Sequence, residues 1–311
     1  MIGNVESNRR TDQESLGFID AHQHFWRLGL GRYPWLEDST PIHFRYGDYS
    51  PLRRSYLPSD YLRDIGRFRV VQTVHIEAEM QRADPIQETV WLEDIASEFG
   101  LPSACVGYAA LARDDIDEVL ARHAERPLVR GIREKPFAVA SQREARRGAP
   151  GSMDDPVWRR GFDRLSRYGF SFDLQTPWWH LDAATELARD FPQTTIILNH
   201  TALPSDRSPE GLDGWRRNLE NAASVSNIML KISGLGQPSR AWRAEDNGHI
   251  IQQAIEIFGP ERCMFASNFP VDSLVASFEE VATCFLRSIA DRSIGEQQML
   301  VHDNAKRIYR L

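Results

Sequence analysis

The sequence predicts an eight-stranded parallel β/α barrel, a (β/α)8 fold, and three observations carry that expectation. Eight short apolar, β-branched runs alternate with helical patterns from Phe18 to the end of the chain, the signature of successive βα units. The chain has 311 residues, long for one domain but ordinary for this barrel. The fingerprint of the competing doubly wound sheet is incomplete, because Gly234-Leu-Gly236 follows a strand without the third glycine. One domain over residues 18–311 is expected, preceded by a loosely packed polar tail over residues 1–17.

The first strand is Phe18-Ile-Asp-Ala-His-Gln-His-Phe-Trp26. Residues i and i+2 of a strand project from one face, so His22 and His24 point into a common space. The Pro-, Gly-, Tyr- and Trp-rich segment from Arg27 to Pro58 is long enough to be a covering or binding loop, with Tyr33, Trp35, Tyr46 and Tyr49 suited to close over a small ligand. Val70 to Glu79 reads as the second strand. Asp84-Pro85-Ile-Gln87 then reads as a capping box that opens a helix ending at Phe99-Gly100. The third strand spans Ala104 to Leu111 with a helix from Asp114 to Ala124. The fourth, Leu128 to Glu134, leads through a charged loop to a helix at Asp155-Pro156. The fifth and sixth run Phe170 to Gln175 and Thr194 to His200, with helices at Leu181 to Phe191 and Trp215 to Ala223. The seventh is Ile228 to Gly234, followed by a helix from Asn247 to Phe258. The eighth is Cys263 to Asn268, and helices at Leu274 to Ala290 and Gly295 to Arg310 close the chain.

Composition limits the function. A formal charge of −7 with no basic stripe argues against nucleic-acid or anionic-membrane partners. The three cysteines, Cys105, Cys263 and Cys284, lack C-x-x-C spacing, so neither a disulfide framework nor a thiolate metal site is expected, and a reducing cytoplasm fits. Residues 1–17 contain no apolar run of the kind that makes a signal peptide or anchor. The expected partner is a small molecule, and a homo-oligomer is compatible with the sequence.

In such barrels the loops after the strands build the active site, so chemistry is sought at strand ends. Those ends carry His22 and His24; His75, Glu77 and Glu79; Arg133 and Glu134; Asp173 and Gln175; Asn199 and His200; Lys231 and Ser233; Ser267 and Asn268. Interior charges cost several kcal/mol unless paired or coordinated, and one convergent polar site accounts for them together. Arg133 suits bidentate capture of a carboxylate. His43, His123, His249 and His302 are expected to be structural or solvated, and His180 lies close enough to Trp178-Trp179 to reach the site.

Asp20-Ala-His22-Gln-His24-Phe-Trp26, Arg130-Gly-Ile-Arg133, Phe172-Asp-Leu-Gln175, Leu198-Asn-His200, Lys231-Ile-Ser-Gly-Leu235, Ala266-Ser-Asn-Phe-Pro270 and Asn304-Ala305 together resemble the amidohydrolase superfamily. Within it the chain is most similar, from Phe18 to Leu311, to the "amidohydrolase 2" branch, which includes sugar-acid lactonases and 2-pyrone-4,6-dicarboxylate lactonases. The resemblance implies a hydrolase that opens a small, acidic lactone at a site holding either one divalent metal, zinc, or none. It places His22, His24, His200 and Asn268 in the catalytic set, with the three histidines as ligands of any metal. It places Glu77, Arg133, Gln175, Trp179 and Lys231 against substrate. Gln175 replaces a histidine of many members, and Asn268 replaces an aspartate. An amide cannot take a proton from water at neutral pH, so Asn268 is no general base; a zinc ion that lowers the pKa of its bound water, or Glu134 or Asp272, both near strand ends, would have to substitute. Related barrels with the same histidine pair suggest a decarboxylase as an alternative, and Asn268 suggests a catalytically weakened ligand-binding barrel as another.

Overall fold

A computed structural model describes residues 17–30, 32–238 and 240–311. Apart from Gly17, the polar N-terminal tail lies outside the described residues. Eight strands form one sheet in the order β1 to β8, every ladder parallel. In chain order the elements are β1 (Phe18–Gln23), α1 (Pro34–Glu37), α2 (Pro58–Asp64), β2 (Val70–Ile76), α3 (Gln87–Phe99), β3 (Ala104–Tyr108), α4 (Ile116–Ala124) and β4 (Val129–Arg133). They continue with α5 (Pro156–Arg164), β5 (Ser171–Leu174), α6 (Leu181–Asp190), β6 (Ile196–Leu198), α7 (Pro209–Ala223), β7 (Ile228–Ile232), α8 (Ala244–Phe258) and β8 (Cys263–Phe265). The chain closes with α9 (Phe278–Ser288), α10 (Ile294–Gln298) and α11 (Asn304–Tyr309), the last two joined by a wider turn at Met299–Asp303.

The strands stop one to three residues before their apolar runs end, because the terminal residues leave the ladder to build the mouth. Helix α3 starts at Gln87 rather than at the proposed cap Asp84, whose carboxylate instead closes a turn onto the Ile86 amide at 3.2 Å. The cap expected at Asp155 does form, its side chain accepting from the Val157 amide. Gly100 ends α3 in the left-handed conformation, with φ at +76°.

Alternation along the strands separates two apolar clusters. Ile19, Ala21, Val74, Ile76, Val106, Ile197, Met229 and Met264 fill the barrel interior, together with Ile308 and Tyr309 from α11. Their neighbours Phe172, Leu198 and Phe265 face outward and join Trp158, Phe162, Leu187 and Trp215 of the helices. β1 and β8 close the barrel through few backbone contacts: the Asn268 amide donates to the His22 carbonyl and the His24 amide to the Phe269 carbonyl, both at 2.7 Å. Asp20 completes this seam. Its buried carboxylate accepts from the Ser267 amide at 2.8 Å, the Ser267 hydroxyl at 2.5 Å, the Tyr61 hydroxyl at 2.8 Å and the His22 amide at 3.2 Å. Among the described residues no helix is long and apolar enough to cross a membrane.

Candidate functional site

At the carboxyl ends of the strands lies a pocket of about 270 Å³, lined by His24, Trp26, Arg133, Gln175, His200 and Asn268 from the barrel and by Trp35, His43, Phe44 and Arg45 from the loop after β1. The two histidines of β1 do meet, with their Nε2 atoms 3.2 Å apart. The ladder shifts register between Asp20 and Gln23, so strict alternation does not govern where these rings point. His200 joins them, its ring centroid 4.6 Å from that of His22.

The protons of this cluster are largely fixed by its neighbours. His24 Nδ1 lies 2.7 Å from the Ile76 carbonyl, which only accepts, so Nδ1 carries the hydrogen and Nε2 presents a lone pair. The Asn268 amide nitrogen donates to Asp272 at 2.6 Å, which turns its oxygen toward His24 Nε2 at 3.4 Å. Asp272 also accepts the Tyr46 hydroxyl at 2.9 Å, so the loop is tied into this chain of contacts. His200 Nδ1 lies 3.0 Å from the Ser233 hydroxyl. Burial is the main force on all three imidazoles and holds them well below the ordinary 6.5; Lys231 adds to it at His22, Arg133 at His24, and Arg45 at His200. The cluster is therefore neutral at neutral pH.

The backbone here is strained. Glu79, Asn268 and the run His200, Thr201, Ala202, Leu203 all take φ between 54° and 58°, the left-handed region that costs non-glycine residues roughly 1–2 kcal/mol each. Thr201 donates to the Ser233 carbonyl at 3.1 Å and its own carbonyl accepts from the Trp215 indole at 2.9 Å, which pins the run in place. Gly234 gives it room, because a Cβ there would stand 2.7 Å from His200 Cβ.

Several residues expected at the site lie behind it. Val74 and Ile76 point inward, so His75 points outward; its Nδ1 accepts from the Phe25 amide at 3.0 Å and its Nε2 lies 3.5 Å from Glu88. Lys231, expected against substrate, is fully buried below the pocket in an ion pair with Asp173 at 2.5 Å; burial lowers its amine to about 8. Asp173 also accepts from Asn199 and Tyr309, which makes this an interior network without a face on the pocket. Trp179 donates to the Val139 carbonyl at 3.1 Å and His180 accepts from the Val139 amide at 3.1 Å, so both support the loop after β4. Glu77 is buried between Arg133 and Arg82, each 2.9 Å away. Glu134 accepts from the Leu111 amide and the Trp158 indole, away from the pocket wall. The lining residues that strand-end reading missed, His43 and Arg45, come from a loop without periodicity; the only signal for them was the length and aromatic content of that loop.

Among the described residues no three His, Cys, Asp or Glu side chains stand in ligand geometry as they are. His22 and His24 nonetheless bring their Nε2 atoms to 3.2 Å with His200 beside them, and three neutral imidazoles are a zinc donor set, so these are the residues that would hold an ion; Asn268 stands where a carboxylate would offset part of its charge.

The barrel and its mouth-side histidine cluster define a hydrolase-type (β/α)8 enzyme. The chain belongs to the amidohydrolase family, whose model, described as "Amidohydrolase", matches residues 19–311. It is 37% identical over 296 residues to the uncharacterised protein y4mH of Sinorhizobium fredii, covering 95% of this chain and 99% of that one. An L-fucono-1,5-lactonase of Burkholderia multivorans is 30% identical over 305 residues, covering 94% and 96%. A solved amidohydrolase structure from Burkholderia multivorans with bound zinc superposes with a TM-score of 0.78 at 27% identity, covering 95% of this chain and 99% of that one.

Proposed function

We propose that this chain hydrolyses a small lactone by attack of water on the ring carbonyl, with His22, His24, His200 and Asn268 as the reacting set. The observation that carries the reading is the fixed tautomer of His24. Its Nε2 lone pair has His22 Nε2 at 3.2 Å and the Asn268 oxygen at 3.4 Å, and a water that donates to that oxygen and displaces the His22 contact can donate its second hydrogen to Nε2. His24 takes the proton as that water attacks, and returns it to the ring oxygen when the tetrahedral intermediate breaks its ester C–O bond to give the hydroxy acid. His200, 3.0 Å from the Ser233 hydroxyl at Nδ1, stabilises the carbonyl oxygen through an Nε2–H in the tautomer in which that hydroxyl donates to Nδ1. His22 steadies His24 from beside it, and Arg133 with Gln175 shapes the wall against the ring. The lactonase relative supports lactones as the substrate class. A zinc ion held by His22, His24 and His200 would lower the pKa of its bound water, and the steps above are those of the chain's own groups.

A panel of five- and six-membered lactones read by a pH indicator tests the reaction, since ring opening releases a proton. Acidification that vanishes in His24→Ala is expected; an inert panel, or a rate untouched by that change, would sink the reading. The histidine shifts add a sign. A base held below 6.5 stays unprotonated on mild acidification, so the acid limb of kcat/KM against pH is expected below 6.5. An acid limb at or above that value would point to another base.

A further inference from the structure

We infer that Arg45 is a specificity residue, holding an anionic group of the substrate beside His200. Four fully charged side chains line the pocket: Arg45, Glu79, Arg133 and Lys135. Lys135 is paired with Glu79. Arg133, to which the sequence assigns carboxylate capture, already has an acceptor at every nitrogen: Glu77 Oε1 at 2.9 Å from Nε, the Glu77 carbonyl at 2.5 Å from Nη2, and Gln175 at 3.4 Å from Nη1. It contributes positive potential to the pocket but few free donors.

Arg45 is different. Its Nη2 donates to the Gly234 carbonyl at 2.7 Å, and its guanidinium carbon lies 4.6 Å from the centre of the Tyr46 ring. Its Nη1 is buried and has no hydrogen-bond partner, and no carboxylate among the described residues lies within ion-pair distance of Arg45. A buried N–H of a charged group left without an acceptor is costly, and a carboxylate or phosphate oxygen offsets that cost when it arrives. The anchoring contact matters as much as the free one. Gly234 is the residue packed against His200, so the guanidinium is fixed to the same turn that fixes the imidazole. Arg45 and Tyr46 are neighbours on one loop, the first reaching Gly234 and the second Asp272, so the loop settles on the barrel by two polar contacts and leaves the Nη1 amino group over for ligand. The favoured substrates are therefore lactones that carry a carboxylate or phosphate beside the ring.

This inference rests on the lactonase reading for its substrate but not for its test. The probes are 5-oxotetrahydrofuran-2-carboxylate and the corresponding carboxamide, which share a ring and differ in charge. Binding of each is measured by calorimetry alongside ring opening, for the wild type, Arg45→Met and Arg45→Lys. The wild type is expected to bind the carboxylate at least about tenfold more tightly than the carboxamide, Arg45→Met to lose that preference, and Arg45→Lys to keep part of it. A merely structural role would weaken both probes together and leave their ratio intact. A wild type without preference, or a preference that survives Arg45→Met, overturns the inference. If neither probe is opened but the Arg45-dependent preference is found, the hydrolytic reading fails and the anion contact stands.

Discussion

Asn268 and Asp272 carry the chemistry that separates this site from one built on an aspartate. Their side chains meet at 2.6 Å, amide donating to carboxylate, and burial raises the Asp272 carboxyl above its ordinary 3.8 while Arg45 and the hydrogen bonds pull it back. Asn268→Asp would replace the donor by a second acceptor, and two carboxylates at that distance cannot both ionise. That single change is expected to lower turnover at neutral pH by roughly tenfold or more. The exchange Asn268→Asp with Asp272→Asn restores one amide and one carboxylate, and is expected to recover the melting temperature lost in the single variant. Recovery of neither stability nor rate would mean that the pair is not a unit. Residue identities at strand ends were legible because a barrel puts chemistry there, which is why His22, His24, His200, Arg133 and Gln175 fall on or against one cluster. Lys231, expected against substrate, instead pairs with Asp173 two strands away across the barrel interior, and alternation with Val74 and Ile76 turns His75 outward.

At the scale of elements, the seam between β1 and β8 is held more by one side chain than by a ladder. Asp20 satisfies four donors from β1, β8 and α2, so the aspartate of the D-x-H-x-H motif acts in closure of the barrel. Asp20→Ala leaves those donors buried without acceptors, and a loss of at least about 3 kcal/mol in unfolding free energy is expected by urea titration. A loss under about 1 kcal/mol would show that the backbone contacts suffice. Strand and helix order could be read from periodicity, whereas strand ends could not. The residues there satisfy their backbone groups outside the ladder, a tertiary choice that hydrophobic pattern does not encode. The loop after β1 was legible as a cover and not as a donor of specific contacts, since Arg45 and Tyr46 acquire their roles only through Gly234 and Asp272, nearly two hundred residues or more away.

For the whole molecule, Glu88 on α3 links folding to pH. Burial, with the nearby Glu77 charge adding to it, holds its carboxyl well above the ordinary 4.5, while it accepts from the Ala78 amide at 2.9 Å. Above that value the unfolded chain has released the proton and the folded one has not. The unfolded state then binds fewer protons, so this group makes stability fall as pH rises. Glu88→Gln keeps an acceptor for Ala78 and removes the titration. The buried histidines, common to both proteins, push stability the other way, so the difference is what is read: the urea midpoint of the wild type is expected to fall relative to that of the variant between about pH 5 and about pH 8. Parallel profiles would assign the slope to other groups.

Trp35 stacks on Phe44 with centroids 5.8 Å apart and planes 1° from parallel, meets Trp26 edge-on at 5.6 Å, and donates its indole proton to the Ala78 carbonyl. Both indoles border the pocket. The protein thus carries an optical gauge of its own occupancy: a ligand that displaces solvent from these rings alters their emission without any attached dye. Titration with a ring-opened hydroxy acid is expected to shift the tryptophan spectrum in the wild type and to shift it less in Trp35→Phe. An identical response in both would assign the change to indoles other than Trp35, Trp26 among them.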